Sequence, residues 1–163
     1  MVNRLSPKGV LTLLYQVDTA DALTDLDTPP LRAVVLDTSS TVEANLNTAA
    51  TVGAIGTLGL FNGSALADGG HRATVVGTLS VASDSVVKLA FDAFVFTNLP
   101  ADDGGGTPKK PKYVLVYLSD NSDHLSNSIP LALFQPDFVG TPPDGTNYTL
   151  TFPTTGAIRL ETA

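Results

Sequence analysis

The sequence predicts an all-β protein, an antiparallel β-sandwich or jelly-roll-like barrel of about seven or more strands, preceded by a short N-terminal helix and an extended arm. Three observations lead there. From Leu31 onward, short runs rich in Val, Leu, Phe and Tyr recur between clusters of Gly, Pro, Asn, Asp and Ser. Several of the runs alternate with the period of two that a pleated strand imposes. Turns are short enough to favour antiparallel pairing over crossover helices.

In chain order, Ser6 followed by Pro7 is a helix-start signal: Ser caps free amides and Pro at the first helical position sacrifices no hydrogen bond. Val10, Leu11, Leu13 and Leu14 then supply an apolar face, predicting a helix from about Pro7 to Val17. The following "DTADALTDLDTPP" carries four aspartates and ends in Pro29 and Pro30, which stop a helix and read as a connecting arm. Residues 1–30 are thus expected to form the helix and arm, and residues 31–163 the β domain.

The predicted strands are Leu31 to Asp37, Arg72 to Val81, Val86 to Phe96, Tyr113 to Ser119, Pro130 to Phe134, Tyr148 to Phe152 and Ala157 to Glu161. Within "VVKLAFDAFVF", Leu89, Phe91, Ala93 and Val95 fall on one face, and Lys88, Ala90, Asp92, Phe94 and Phe96 on the other. The two phenylalanines imply that the second face is covered at its far end. Residues 38–70, with "TVGAIGTLGLFNG", fit strand, helix or ordered loop.

Composition narrows function. A chain of 163 residues makes about one domain, burying roughly 70% of its unfolded surface. A formal charge of −7 argues against nucleic acid as a partner, because phosphate neutralisation requires clustered Lys and Arg. With no cysteine, disulfides and thiolate metal sites are excluded. Pro7 and Gly9 interrupt the first apolar run, so neither a cleaved leader nor a membrane span is expected, and the protein reads as soluble and made in a cytoplasm.

Motifs with chemical potential are few. The tip "SDNSDHLSNS" brings together Asp120, Asp123 and His124, but Asp, Asn and Ser are what a strand connection selects, and the Gly and Glu of a Ca²⁺ loop are missing. Gly53, Gly56, Gly59 and Gly63 lack the spacing of a dinucleotide fingerprint and read as sites of close backbone packing. "DDGGGTPKKPK" concentrates Lys109, Lys110 and Lys112 beside Asp102 and Asp103, and reads as a mobile loop tip or a docking segment. Asp18, Asp21, Asp25 and Asp27 are spaced as a solvated arm. No nucleophile motif occurs, and His71 and His124 are the only imidazoles, so catalysis is not expected and no cofactor or metal is assigned. Without a leader, "NGS" at Asn62 and "NYT" at Asn147 read as chance glycosylation matches.

Read in order, "LRAVVLDTSS", "VVKLAFDAFVF", "YVLVYLSD", "PLALFQPDF" and "YTLTFPTTGAIRL" resemble a widespread family of small tailed-bacteriophage virion proteins, from about Leu5 to Leu160. The shared pattern is a first strand ending in Asp-Thr-Ser, an Asp-rich aromatic strand, a Tyr-Val-Val-Tyr-like strand, a Pro-Leu-Ile-like return strand and a final hairpin. The "PADDGGGTPKKPK" insertion and "FQPDF" depart from it. The resemblance implies a non-enzymatic capsid decoration, or cement, protein on the outer surface of the head, synthesised in the host cytoplasm. Its implied partners are the major capsid protein and further copies of itself, a trimer being favoured, with no nucleic acid and no membrane. A place in the tail, neck or fibre is the alternative, as is a receptor- or glycan-binding module presenting Tyr113, Tyr117 or Tyr148. If the arm bridges subunits, Leu5, Val10, Leu13, Leu14, Leu23 and Leu26 are the candidate contacts with the capsid or a neighbouring copy.

Overall fold

The computed structural model describes residues 4–6, 31–61, 70–83, 86–103, 107–119, 124–138, 143–152 and 158–161. These are mostly strand with very little helix, and every strand pairing is antiparallel. The strands are β1 (Arg4–Leu5), β2 (Leu31–Asp37), β3 (Arg72–Val75), β4 (Gly77–Ser83), β5 (Val86–Phe91), β6 (Phe94–Phe96), β7 (Pro111–Leu118), β8 (Ile129–Phe134), β9 (Tyr148–Leu150) and β10 (Ile158–Glu161). One short helix, α1 (Val42–Asn45), and a 3-10 turn (Val52–Ile55) lie between β2 and β3.

The strands form a main sheet in the order β1-β8-β7-β2-β3, a three-stranded sheet β10-β5-β4 and a ribbon β6-β9. In the main sheet the period-two pattern assigns side chains to two different cores. Leu31, Ala33 and Val35 of β2, with Val114, Val116 and Leu118 of β7, face one cluster. Val34 and Leu36, with Tyr113, Leu115 and Tyr117, face the other. Register keeps each set together: Val35 lies opposite Val114 and Ala33 opposite Val116, while Val34 lies opposite Leu115 and Leu36 opposite Tyr113. Near-continuous apolar runs such as "AVVL" and "YVLVYL" are what a sheet covered on both faces requires.

The first core is aromatic. All seven phenylalanines of the chain, Phe61, Phe91, Phe94, Phe96, Phe134, Phe138 and Phe152, lie in it or against it. Phe152 is the hub, with ring centroids 5.1 Å from Phe134 and 5.4 Å from both Phe91 and Phe94. This cluster joins the main sheet to the β6-β9 ribbon through Phe94, Phe96 and Leu150. The second core is aliphatic with two tyrosines, and residues 42–60 supply its cover: Val42, Leu46, Ala49, Val52 and Ile55 are buried against the sheet, with Leu58 and Leu60 packed beside them. A segment that fits three readings in sequence is therefore a lid of short helical turns over the second face.

Two of the expected strands are each divided in two. Arg72 to Val81 breaks at Val76, which is 50% exposed: β3 pairs with β2 in the main sheet, while β4 pairs with β5 in the three-stranded one. Val86 to Phe96 breaks at Asp92 and Ala93, so that β5 stays with β4 and β6 joins β9. The two breaks are tied together by the Asp92 amide donating to the Val76 carbonyl at 3.0 Å. Strands that change sheets need such corners. The corner also resets the alternation. Phe91, Phe94 and Phe96 share one core and Val95 is 41% exposed, whereas unbroken alternation would separate Phe91 from Phe94 and pair it with Val95.

In β8 a bulge solves a different problem. The partner register slips between Val116, opposite Ala132, and Tyr117, opposite Pro130, leaving Leu131 unpaired with β7. Pro130 has no amide to donate, and a bulge is where a sheet tolerates it. As a result Leu131 and Ala132, neighbours in sequence, both enter the aromatic core.

Candidate functional site

The edge of the main sheet beyond β8 is where the chain receives an added strand. Arg4 lies opposite Leu133 and Leu5 opposite Ala132, and the Ser6 amide donates to the Leu131 carbonyl at 2.9 Å. Ser6 is fully buried there. An unpaired outer row of amides and carbonyls on β8 would be an exposed template, and β1 occupies it with only two paired residues. Leu5, expected as a contact residue, is thus placed in a strand on the domain's own edge. Val10, Leu13, Leu14, Leu23 and Leu26 lie outside the described residues, as does the helix expected from Pro7 to Val17.

At the opposite end of β2, Asp37 organises a corner. Its carboxylate is buried, and its Oδ1 accepts from the Ser39 amide at 2.6 Å and from the Ser39 hydroxyl at 2.5 Å. This is the turn an Asp at a strand end makes with the amide two residues on. Lys109 Nζ stands 3.5 Å from Oδ2, and the Thr38 amide donates to the Lys110 carbonyl at 3.2 Å. Gly59, with φ +62, accepts at its carbonyl from the Asp37 amide at 2.7 Å; a Cβ on it would come within 2.8 Å of the Ser40 nitrogen. Lys112 covers the Tyr113 ring at 4.6 Å, and the Tyr113 hydroxyl donates to Glu43 Oε2 at 2.6 Å. The described part of the lysine-rich stretch is held against β2 by these contacts and leads directly into β7.

The remaining sequence candidates separate in space. Asp120 and Asp123 lie outside the described residues. The His124 carbonyl accepts from the Asn127 and Ser128 amides and, at 2.8 Å, from the Ser128 hydroxyl, so this part of the "SDNSDHLSNS" tip closes a turn. His71 is half-buried with its ring centroid 6.0 Å from that of Phe61; burial lowers its pKa, a backbone hydrogen bond to Thr97 opposing the shift. Gly53 fits against the Ser126 backbone so closely that a Cβ would sit 2.8 Å from the Ser126 carbonyl oxygen. Gly63 and Asn62 lie outside the described residues, as do Asp18, Asp21, Asp25 and Asp27. Among the described residues there is no group of three or more His, Asp or Glu side chains placed to hold a metal, and no helix long and apolar enough to cross a membrane.

Tyr113 and Tyr117 correct the glycan reading at those positions. They are 2% and 0% exposed, filling the second core, so neither can stack on a sugar; Tyr148 is half-buried against Phe138 with centroids 5.0 Å apart. Alternation marks both buried tyrosines as sharing a face with Leu115, and "YVLVYL" is apolar on both faces, so the signal for their burial was present. Nothing comparable in the sequence points to β1 or to the Lys109–Asp37 pair, each of which joins residues distant along the chain. Compared with family models, curated proteins and solved structures, the chain shows no match.

Proposed function

We propose that the protein is a non-enzymatic structural component of a tailed-bacteriophage virion, a decoration protein that binds the outer surface of the major capsid protein lattice and stabilises the head. The ordered strand motifs from Leu31 to Leu160 support the family, and one geometric observation supports attachment. Residues 4–6, at the head of the N-terminal arm, are held by backbone pairing on the rim of a domain whose central sheet is packed on both faces. Such a domain meets partners through its rim, its edges and its arm. Weak contacts from each copy then add through multivalency on a repeating lattice.

In the same reading the sheets stack as a sandwich or jelly-roll-like barrel, since the aromatic core takes residues from both the main sheet and the β6-β9 ribbon. Self-association in a closed ring, a trimer first, would cover the remaining strand edges.

Immunogold electron microscopy of intact virions with antibody against this chain tests the proposal. Label spread over heads is the expected result. Label confined to tails would move the protein to the tail, and particles without label would end the virion reading. Removal of residues 1–30 is expected to abolish capsid attachment; attachment that survives it would refute bridging by the arm.

A further inference from the structure

We infer that the β1 slot on β8 is filled by β1 of a second copy of this chain, so that the copies of an assembled oligomer are joined by strand exchange. The inference deepens the attachment role given to the arm, and its test needs no virion. Three features of the molecule support it.

The first is connection length. β1 and β2 are separated by β8 and β7, about 14 Å across the sheet at roughly 4.8 Å per strand. Three successive antiparallel pairings place the end of β1 and the start of β2 at the same end of the sheet. About five extended residues would therefore close the connection within one copy. The chain from residue 7 to residue 30 can instead reach about 80 Å. Connections in compact domains usually run to about 4–6 residues, and the extra length adds closure entropy to a connection made within a single copy.

The second is the kind of bond. The slot is defined by backbone pairing at Arg4 and Leu5 and by the Ser6 amide, so it is identical whichever copy supplies the strand. Net contributions of about 1 kcal/mol per backbone hydrogen bond leave such a short strand exchangeable, with effective concentration deciding its source. Exchange of identical elements is a low-cost route to symmetric oligomers, and an added edge strand is a recurring mode of recognition.

The third is sequence order. Val10, Leu11, Leu13 and Leu14 follow β1 immediately, so a strand delivered in trans carries this apolar run onto the neighbouring copy.

The chain has no cysteine, which makes disulfide trapping unambiguous. Directly opposed residues in an antiparallel pair have Cα atoms about 4.5–5.5 Å apart, within the range a disulfide spans. Leu5→Cys with Ala132→Cys in one full-length chain is the first variant. Arg4→Cys with Leu133→Cys is the second, in case the buried Ala132 site tolerates no thiol. After oxidation, most of the protein is expected to run as covalent dimers or larger closed species on a non-reducing denaturing gel. Leu5→Cys chains co-refolded with Ala132→Cys chains should likewise form a mixed covalent dimer. Monomers closed on themselves, with no mixed dimer, would overturn the inference. So would the lack of any disulfide in both variants, since the pairing itself would then be absent.

Discussion

The two faces of the main sheet are built from the same strands yet solve burial differently. One face carries Phe134 of β8 and meets rings contributed by β5, β6 and the residues after β9; Phe152 packs edge to face with Phe91 and Phe134 and tilted against Phe94. The other meets methyl-rich side chains from residues 42–60, a stretch whose backbone is held by local bonds, such as Asn45 Nδ2 donating to the Ile55 carbonyl at 2.8 Å. Large rings from distant strands can hold sheets together because each contributes area to several neighbours at once. A lid of short helical turns has no such reach, and depends on fitting closely to what lies beneath it. The difference teaches where each face should fail: the aromatic face through loss of volume, the lid through loss of fit.

The largest effect is therefore expected on the aromatic side. Phe134→Ala removes a ring packed on both Phe91 and Phe152 and should cost about 3–5 kcal/mol in urea unfolding. Ile55→Ala, on the lid, should cost about 2–4 kcal/mol. A cost for Ile55→Ala below about 0.5 kcal/mol, the range of surface changes, would show that the lid is not a second core.

Fit is probed at Gly53. Adding a methyl group there drives it onto the Ser126 carbonyl, a backbone atom that cannot swing aside, so Gly53→Ala should destabilise by about 1–3 kcal/mol although it enlarges apolar area. Unchanged thermal stability would mean that the lid and the turn after residue 124 are not in close contact.

A smaller effect is expected where the lid is tied by a polar bond. Tyr113→Phe keeps the ring in the second core and removes only the hydroxyl donated to Glu43, which should cost about 1 kcal/mol. The same loss in a Glu43→Ala background would indicate that the hydroxyl acts through another partner.

The smallest expected effect is one of pH. His71 lies beside Phe61 with its pKa below the ordinary 6.5, chiefly because burial disfavours the imidazolium. The folded state therefore binds fewer protons than the unfolded state across that window. Stability should be full above about pH 6.5 and decline as the pH falls from 6.5 toward the lowered folded value, levelling off below it. Replacement by glutamine should flatten this part of the urea midpoint profile. A slope that persisted unchanged in His71→Gln would assign it to other groups.

What could be read in advance follows from the range of each interaction. The strand Leu31–Asp37 coincides with the run "LRAVVLD", and the unbroken apolar character of "YVLVYL" is the local signature of burial on both faces. The corners at Val76 and at Asp92–Ala93 were not legible, because each interrupts a run whose composition favours strand on both sides. Residues 42–60 were ambiguous because their helical turns are too short to establish a period.

By itself, then, the sequence determined the all-β character, the antiparallel pairing and the main strands, since period-two patterning and turn residues act between near neighbours in the chain. The tertiary structure alone decided which sheet each half-strand joins, that Lys109 returns to Asp37, and that Arg4–Leu5 takes the edge of β8. Those outcomes depend on which distant segments complete one another's surfaces and backbone bonds. That choice is a property of the packed chain as a whole and leaves no periodic trace in any one stretch of it.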